Sequence, residues 1–506
     1  MNLLNFTGLI AIPLVSSPIV YLVGRLGTHE VTLRGRSYLV RLVAFLAVLA
    51  AWIPLIVSVQ ALFFNGVQGF NLNTIWLRVD GISLLMASCV LLLGTLVILF
   101  SGSYMAGEVG EEKYYAMLLA MMGLMIGLVS ASDLFNLWVW FEGMAVSSYL
   151  LVAFYREQAA SLEAGMKYLV QSATGSVLVL IGIAMVLAQA GTLDLAEISA
   201  AVAGAGVNRL AILGAGALFM VGFGVKVALV PLHTWLPDAH SQAPSGISAM
   251  LSGVVIEIGL IAMLRALAVL TGFALSWGIL LLIFGAVNIL YGNLLALRQT
   301  LVKRLLAYSS LSHIGYILLG LGITLYSGIG MGAQGAFFHV FSHMLMKGLA
   351  FLAVGALMYG MLLRNGSHKA LKVADLAGAA QKYPLAALAF SIAVLGLGGM
   401  PPLAGFMSKW QIFVAGFQTQ NAWITGLMVF MALNSVLSLG YYAPLVNLMY
   451  RKEASKKVLA GKSLTWTIAL PLIVMTLLVI AFGFFPGLVE WFTIPAAERF
   501  MQMFGR

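Results

Sequence analysis

Three lysines and two glutamates stand inside long apolar runs: Lys226, Lys347, Lys409, Glu142 in LWVWFEGMAVSSYL and Glu257 in MLSGVVIEIGLIAML. A charged side chain at the centre of a membrane helix costs at least ~2.5–3.5 kcal/mol, so such residues persist where they pair or carry an ion. Structural ion pairs and a snorkelling lysine are the plain alternative. Snorkelling suits helix ends, and Glu142 and Glu257 are not near ends. In GAFFHVFSHMLMKGLAFL, His339, His343 and Lys347 recur at every fourth position and share one helical face. Imidazole titrates near neutrality, and an apolar site moves a lysine toward that range. A stripe of this kind can hand a proton along. A lone intramembrane histidine is more often a packing residue, and His313 in AYSSLSHIGY is a further, separate candidate.

Two of these lysines lie beside proline breaks. In GFGVKVALVPLHTWLPDAHSQAP, Pro231 follows Lys226; in GLGGMPPLAGFMSKWQIF, Pro401 and Pro402 precede Lys409. Proline removes a donor and clashes with the preceding turn. In lipid the freed carbonyls must be met by protein or water, so each stretch reads as a discontinuous helix beside a polar cavity. Lys226 reads as a proton carrier at such a break, with Glu142 as its expected carboxylate neighbour. His233, Asp238 and His240 follow the first break, and His with Asp is a possible metal ligand set. A turn or capping role for Asp238 is the simpler expectation, and no metal is expected.

These side chains need a scaffold. The chain of 506 residues is 62% hydrophobic and 9% charged, against roughly 25% charged in soluble globular chains. Windows of about 20 apolar residues recur throughout, which predicts an all-α polytopic membrane protein of about fourteen spanning helices. Two Pro-interrupted spans in corresponding places suggest an inverted repeat. Helices four to eight (106–272) would form one copy and helices nine to thirteen (273–450) the other. Residues 1–105 would hold helices one to three, and 451–506 the last helix with an amphipathic segment, Leu488 to Phe504. The first apolar run, Leu9 to Val23, lacks a basic n-region and reads as a spanning helix.

Of the 27 Lys and Arg, 24 lie near helix ends. Nineteen fall on one side, among them Arg41, Lys113, Arg156, Lys167, Lys303, Arg304, Arg364 and Lys369. Arg78, Arg209, Arg265, Arg499 and Arg506 fall on the other, with both termini. The positive-inside rule makes the first side cytoplasmic, which suits a prokaryotic plasma membrane with both termini outward. The net charge of +10 is largely this asymmetry and not a nucleic-acid surface. A single cysteine, Cys89, excludes a disulfide framework and any cysteine-bound cluster. No soluble domain offers a place for a cofactor, and no catalytic site is expected.

VKVALVPLHTWLPDAHSQAPSGISAMLSGVV resembles the signature of the antiporter-like subunits of respiratory complex I, which are related to Mrp antiporter subunits and to the membrane arms of energy-converting hydrogenases. LVKRLLAYSSLSHIGYILLGLG, FFHVFSHMLMKGLAFL and GMPPLAGFMSKWQIF match further blocks of that family. The resemblance implies fourteen helices, two inverted five-helix repeats and a midplane proton path. It also implies neighbouring membrane subunits of the same kind as partners. On it, Glu142 is the acid of the fifth helix, Lys226 its partner in the seventh, Lys347 the lysine of the eleventh after His339 and His343, and Lys409 the terminal lysine of the twelfth. The family usually has a central base where this chain has Glu257, which is expected either to titrate or to pair with Lys226 or Lys347. A self-sufficient transporter of Na+ or a small solute is the competing reading; apart from Asp238, no Asp or Asn cluster lies near a break.

Overall fold

Apolar runs of this length form helices that stack side by side. The computed structural model describes residues 3–26, 33–65, 68–72, 75–204, 206–362 and 370–506. The chain opens with α1 (Leu3–Arg25) and α2 (Leu33–Asn65). A two-stranded antiparallel hairpin follows, β1 (Gln68–Leu72) and β2 (Ile75–Val79). This hairpin departs from the all-helical expectation; the IWLRV stretch is rich in β-formers. Next come α3 (Gly81–Tyr104), α4 (Glu111–Ser130), α5 (Leu134–Val152), α6 (Ala159–Ala190) and the short α7 (Leu195–Ala203). The first broken segment is α8 (Arg209–Val227) and α9 (Trp235–Gln242). After it lie α10 (Ser245–Met250), α11 (Ile256–Ala268), α12 (Ala274–Ala296), α13 (Val302–Ser327) and α14 (Gly330–Gly360). The second half closes with α15 (Ala379–Lys382), the broken pair α16 (Pro384–Gly398) and α17 (Ala404–Gln418), and α18 (Ala422–Arg451). Last are α19 (Lys456–Ala460), α20 (Trp466–Phe484) and α21 (Gly487–Met503).

Among the described residues, twelve helices are long and apolar enough to cross a membrane. The protein has an all-α polytopic membrane fold. α5 is not among the twelve, since Asn136, Glu142, Ser147 and Ser148 dilute its apolar run. α16 is apolar but shorter. The segment expected to lie amphipathic on a surface is α21, whose Val489, Ala496 and Phe500 are buried; it packs on α3 and α14. Arg364 and Lys369, counted with the cytoplasmic cations, lie outside the described residues.

Burial is graded across the bundle. The spans of α10–α11 and α14 are buried over their whole apolar windows, whereas the α6 and α18 windows are about one-third buried. A helix enclosed by protein can carry polar groups that lipid would not tolerate. Glu257, His313, His339, His343 and Lys347 all sit in α11, α13 and α14.

Both proline breaks form as expected, and protein side chains meet the freed backbone groups. Around Pro231, Asn288 of α12 accepts from Val230 N (2.9 Å) and donates to Ala228 O (3.3 Å). Trp235 Nε1 donates to Val225 O (2.7 Å). At the second break, Lys409 Nζ donates to Leu397 O (2.9 Å) and Ser435 Oγ to Gly398 O (3.2 Å). Gly399 turns α16 off at φ +81°, in the left-handed region open to glycine. A third irregularity, absent from the sequence expectations, is a π-helical stretch at Leu251–Val255 between α10 and α11. Such bulges cluster at functional sites, and Glu257 follows this one by half a turn.

Asp80 caps α3 and is fully buried. Arg265 Nη2 lies 2.9 and 3.0 Å from its two oxygens, and Arg499 Nε lies 3.1 Å from one of them. Burial opposes the charge of Asp80, yet Arg265, the Ser83 N–H and Arg499 together hold its carboxyl below the usual carboxylate range.

Candidate functional site

Lys226 is buried at the end of α8, where its Nζ donates to Ser148 Oγ of α5 (3.0 Å) and Tyr168 OH of α6 (2.5 Å). The two hydroxyls share a hydrogen bond of 2.9 Å. Tyr168 is held flat by Trp235, with ring centroids 3.9 Å apart and 4° between planes. The lysine stem passes close to Gly259 of α11, where a Cβ would meet Lys226 Cγ at 3.0 Å.

Glu142 lies close enough to Lys226 to act on its charge, but the two make no direct ion pair among the described residues. Glu142 is half-buried, its Oε1 has no hydrogen-bond partner, and the lysine is satisfied by hydroxyls. Helical geometry explains this. Ser148 lies six residues after Glu142, which at 3.6 residues per turn puts the two about 120° apart around α5. Ser148 and Tyr168 escaped the sequence analysis because a serine and a tyrosine in an apolar helix look like packing residues.

Of the two alternatives left open for Glu257, the lysine pair does not form among the described residues: it makes no ion pair with Lys226 or Lys347, and its Oε1 lies 2.7 Å from His343 Nδ1, both side chains being fully buried. Glu257 Oε2 and His343 Nε2 have no protein partner. His313, set apart in the sequence, is central in space. Its ring stacks on His343 (5.1 Å between centroids) and on His339 (5.2 Å). His313 Nδ1 and His339 Nε2 share a hydrogen bond of 3.0 Å. His339 Nδ1 continues to Ser408 Oγ at 2.9 Å.

Ser408 precedes Lys409 on α17. Lys409 Nζ donates to Leu397 O and to Ser435 Oγ, each at 2.9 Å, and lies 4.4 Å above the Tyr316 ring. Tyr316 packs edge-on against His339 (5.8 Å). The arrangement is therefore a buried file in two hydrogen-bonded pieces, Glu257–His343 and His313–His339–Ser408, joined by the stacking of His343 on His313 and ending beside Lys409. Lys347 shares the helix face of His339 and His343, but its ammonium turns to α13, donating to Leu306 O (2.7 Å) and Ser309 Oγ. It stands beside the file and not within it.

Asp238 makes no side-chain cap of α9 and does not gather with His233 and His240 into one cluster. Its carboxylate pairs with Arg304 (2.7 Å) and Lys167 (3.1 Å), tying α9 to α13 and α6. His240 stacks on Phe351 and His233 meets Tyr291 edge-on. No group of three metal-ligating side chains occurs among the described residues. Lys303, read with the loop cations, is buried and donates to Ala243 O (2.8 Å), so it serves the start of the α10 segment.

Residues 131–433 match the family model described as NADH:quinone oxidoreductase/Mrp antiporter, TM, and residues 63–115 match NADH-ubiquinone oxidoreductase (complex I), chain 5 N-terminus. The chain is 31% identical over 86% of its length to NADH-quinone oxidoreductase subunit N of Desulforamulus reducens, covering 88% of that protein. It is likewise 31% identical to F(420)H(2) dehydrogenase subunit N of Methanosarcina mazei, over 81% of this chain and 83% of that one. Among solved structures it resembles a chain of the membrane-bound sulfane sulfur reductase, an archaeal respiratory membrane complex, with a TM-score of 0.83 and 26% identity over 98% of both chains.

Proposed function

The chain belongs to the NADH:quinone oxidoreductase/Mrp antiporter family of membrane subunits, and from that premise we propose that it translocates protons as one subunit of a multi-subunit membrane complex. The observation that carries this is the buried file from Glu257 through His343, His313, His339 and Ser408 to Lys409. Four titratable groups in hydrogen-bond or ring contact inside apolar helices have no packing purpose that apolar residues would not serve as well. Each can accept and release a proton, and the unpartnered Glu257 Oε2 and His343 Nε2 are points where water can join.

In this mechanism Lys226 and Lys409 are the two stores of positive charge, one at each helix break. Ser148 and Tyr168 hold Lys226 by neutral oxygens, so its charge is not locked by a carboxylate. Glu142, partly buried on α5 with an unpartnered Oε1, is then the acid that would exchange a proton with water or meet a neighbouring subunit's cation. Glu257 takes the place of a central base: as carboxylate it draws a proton onto His343, and as the acid it returns one. The fourteen traverses pair as two inverted repeats, 106–272 and 273–450, each with one broken, lysine-bearing helix. The membrane is the plasma membrane of a prokaryote, with the nineteen-cation side cytoplasmic and both termini outward. We assign the chain no cofactor of its own.

The test is purification from native membranes with identification of the co-purifying subunits. An iron–sulfur partner identifies a redox-driven host, and a set of small hydrophobic partners an antiporter. A chain that purifies alone and moves ions unaided would contradict the subunit reading.

A further inference from the structure

Five arginines were counted on the side of the termini, and no lysine. They are far apart in the chain, yet all five gather around two adjoining cavities. Arg78, Arg265 and Arg499 line one of about 160 Å³. Arg506 lines the next, of about 560 Å³. Arg209 closes on its rim, with its guanidinium 5.7 Å from the Phe273 ring and beside Gly272. The two cavities share Ser199, Ala268, Gln502 and Met503, so they form one continuous recess.

Charge is not balanced there. Asp80 answers Arg265 and Arg499 together. Among the described residues Arg78 makes no ion pair, and Arg265, only 2% exposed, keeps a buried Nε without a partner. Buried donors left unpaired are costly, and three guanidinium groups around one cavity repel each other. Guanidinium forks match phosphate and carboxylate oxygens two at a time, which lysine cannot do. Gln502 also lines the smaller cavity and adds a side-chain amide donor. The larger one continues along apolar walls from Leu270, Leu275 and Phe504. A charged trap that opens into an apolar groove at a membrane face has the shape of one ligand class.

We propose that this recess binds a phosphate oxyanion, the headgroup of an anionic phospholipid of the outward leaflet, with its acyl chain along Leu270 and Phe504. The inference rests on the orientation proposed above, but only for which leaflet supplies the lipid. Occupation would tie together the hairpin end at Arg78, the α11 end at Arg265 and the C-terminal helix at Arg499.

The experiment uses the intact complex purified from its native membrane, stripped of loosely held lipid by detergent exchange. Thermal unfolding is followed with phosphatidylglycerol, with phosphatidylcholine and with inorganic phosphate. Wild type should gain several degrees in Tm from phosphatidylglycerol and retain it at least tenfold better than Arg78→Gln does by mass spectrometry. Arg78 is only partly buried and makes no ion pair with the described residues, so the variant should assemble; Arg506→Gln is the second test and should weaken retention less. Phosphatidylglycerol protection without phosphate protection assigns the site to lipid. Equal protection by inorganic phosphate, lost in Arg78→Gln, keeps the oxyanion site and makes its source a free anion. Equal lipid retention and equal protection in wild type and both variants would overturn the proposal, as would an acidic side chain of a neighbouring subunit cross-linking to position 78. Loss of proton translocation is not a readout here, so failure of this proposal is distinguishable from failure of the functional one.

Discussion

Glu257 Oε1 lies 2.7 Å from Nδ1 of His343, and neither side chain has any exposed surface. This buried acid is thus coupled to a histidine and not locked to a lysine. Glu257→Gln keeps a hydrogen-bonding partner for His343 but removes the exchangeable charge. Proton translocation in reconstituted vesicles should fall at least tenfold, with assembly retained. Glu257→Lys restores a base and should keep part of the rate. Equal, normal rates in both variants would remove Glu257 from the path.

His313 should matter more than its isolated place in the sequence suggests. It stacks on both His339 and His343 and is hydrogen-bonded to the first of them. His313→Ala cuts the file in its middle, and a tenfold or greater loss of proton flux is expected. Lys347→Met, beside the file, should reduce flux less than His313→Ala does. The reverse order, with His313→Ala silent, would mean that protons pass along Lys347 and the α13 carbonyls instead.

At Lys226 the test is a hydroxyl. Tyr168→Phe removes the 2.5 Å contact to the ammonium but keeps the ring under Trp235. Flux should drop several-fold, and its pH profile should shift, because the lysine loses a group that solvates its charge. Gly259→Val crowds the lysine stem and should act in the same direction. A Tyr168→Phe profile superimposable on wild type would leave Tyr168 a packing residue.

Asp80 is a stability element. Removing one member of a buried ion pair costs about 3–5 kcal/mol, so Asp80→Ala should lower the Tm of the purified complex markedly. The carboxyl is held below its ordinary value by Arg265, Ser83 and Arg499. Its contribution is therefore fully present above the unfolded pKa of about 3.9 and is lost as pH falls through the lower folded value. Thermal scans from pH 7 to 3 should show that loss only below about pH 4. A stability loss from this pair beginning near pH 6 would contradict the assignment.

The breaks at Pro231, Pro401 and Pro402 were legible because proline in an apolar run leaves few alternatives, and the ionisable residues because charge is rare in lipid. The partners were less legible. Glu257 and His343 are 86 residues apart, and which base an acid meets depends on how α11 and α14 rotate against each other. Glu142 and Lys226 were paired by type, yet Ser148, six residues on, turned the receiving face of α5 toward the lysine. His313 shares no helix with the His339 stripe, so periodicity could not join them. The convergence of five arginines was half visible: the span count grouped them on one expected side, and packing alone brings them to a common recess.

The most direct test of the buried file is proton flux through His339→Ala in the purified complex, reconstituted in vesicles and driven by its own electron donor or cation gradient. His339 joins His313 to Ser408, and no other side chain of the file bonds to both. The expected result is an assembled complex whose proton uptake, followed by a pH-sensitive dye, falls at least tenfold. An assembled complex with His339→Ala and His313→Ala together that still translocates protons at the wild-type rate would show that protons do not travel along these residues.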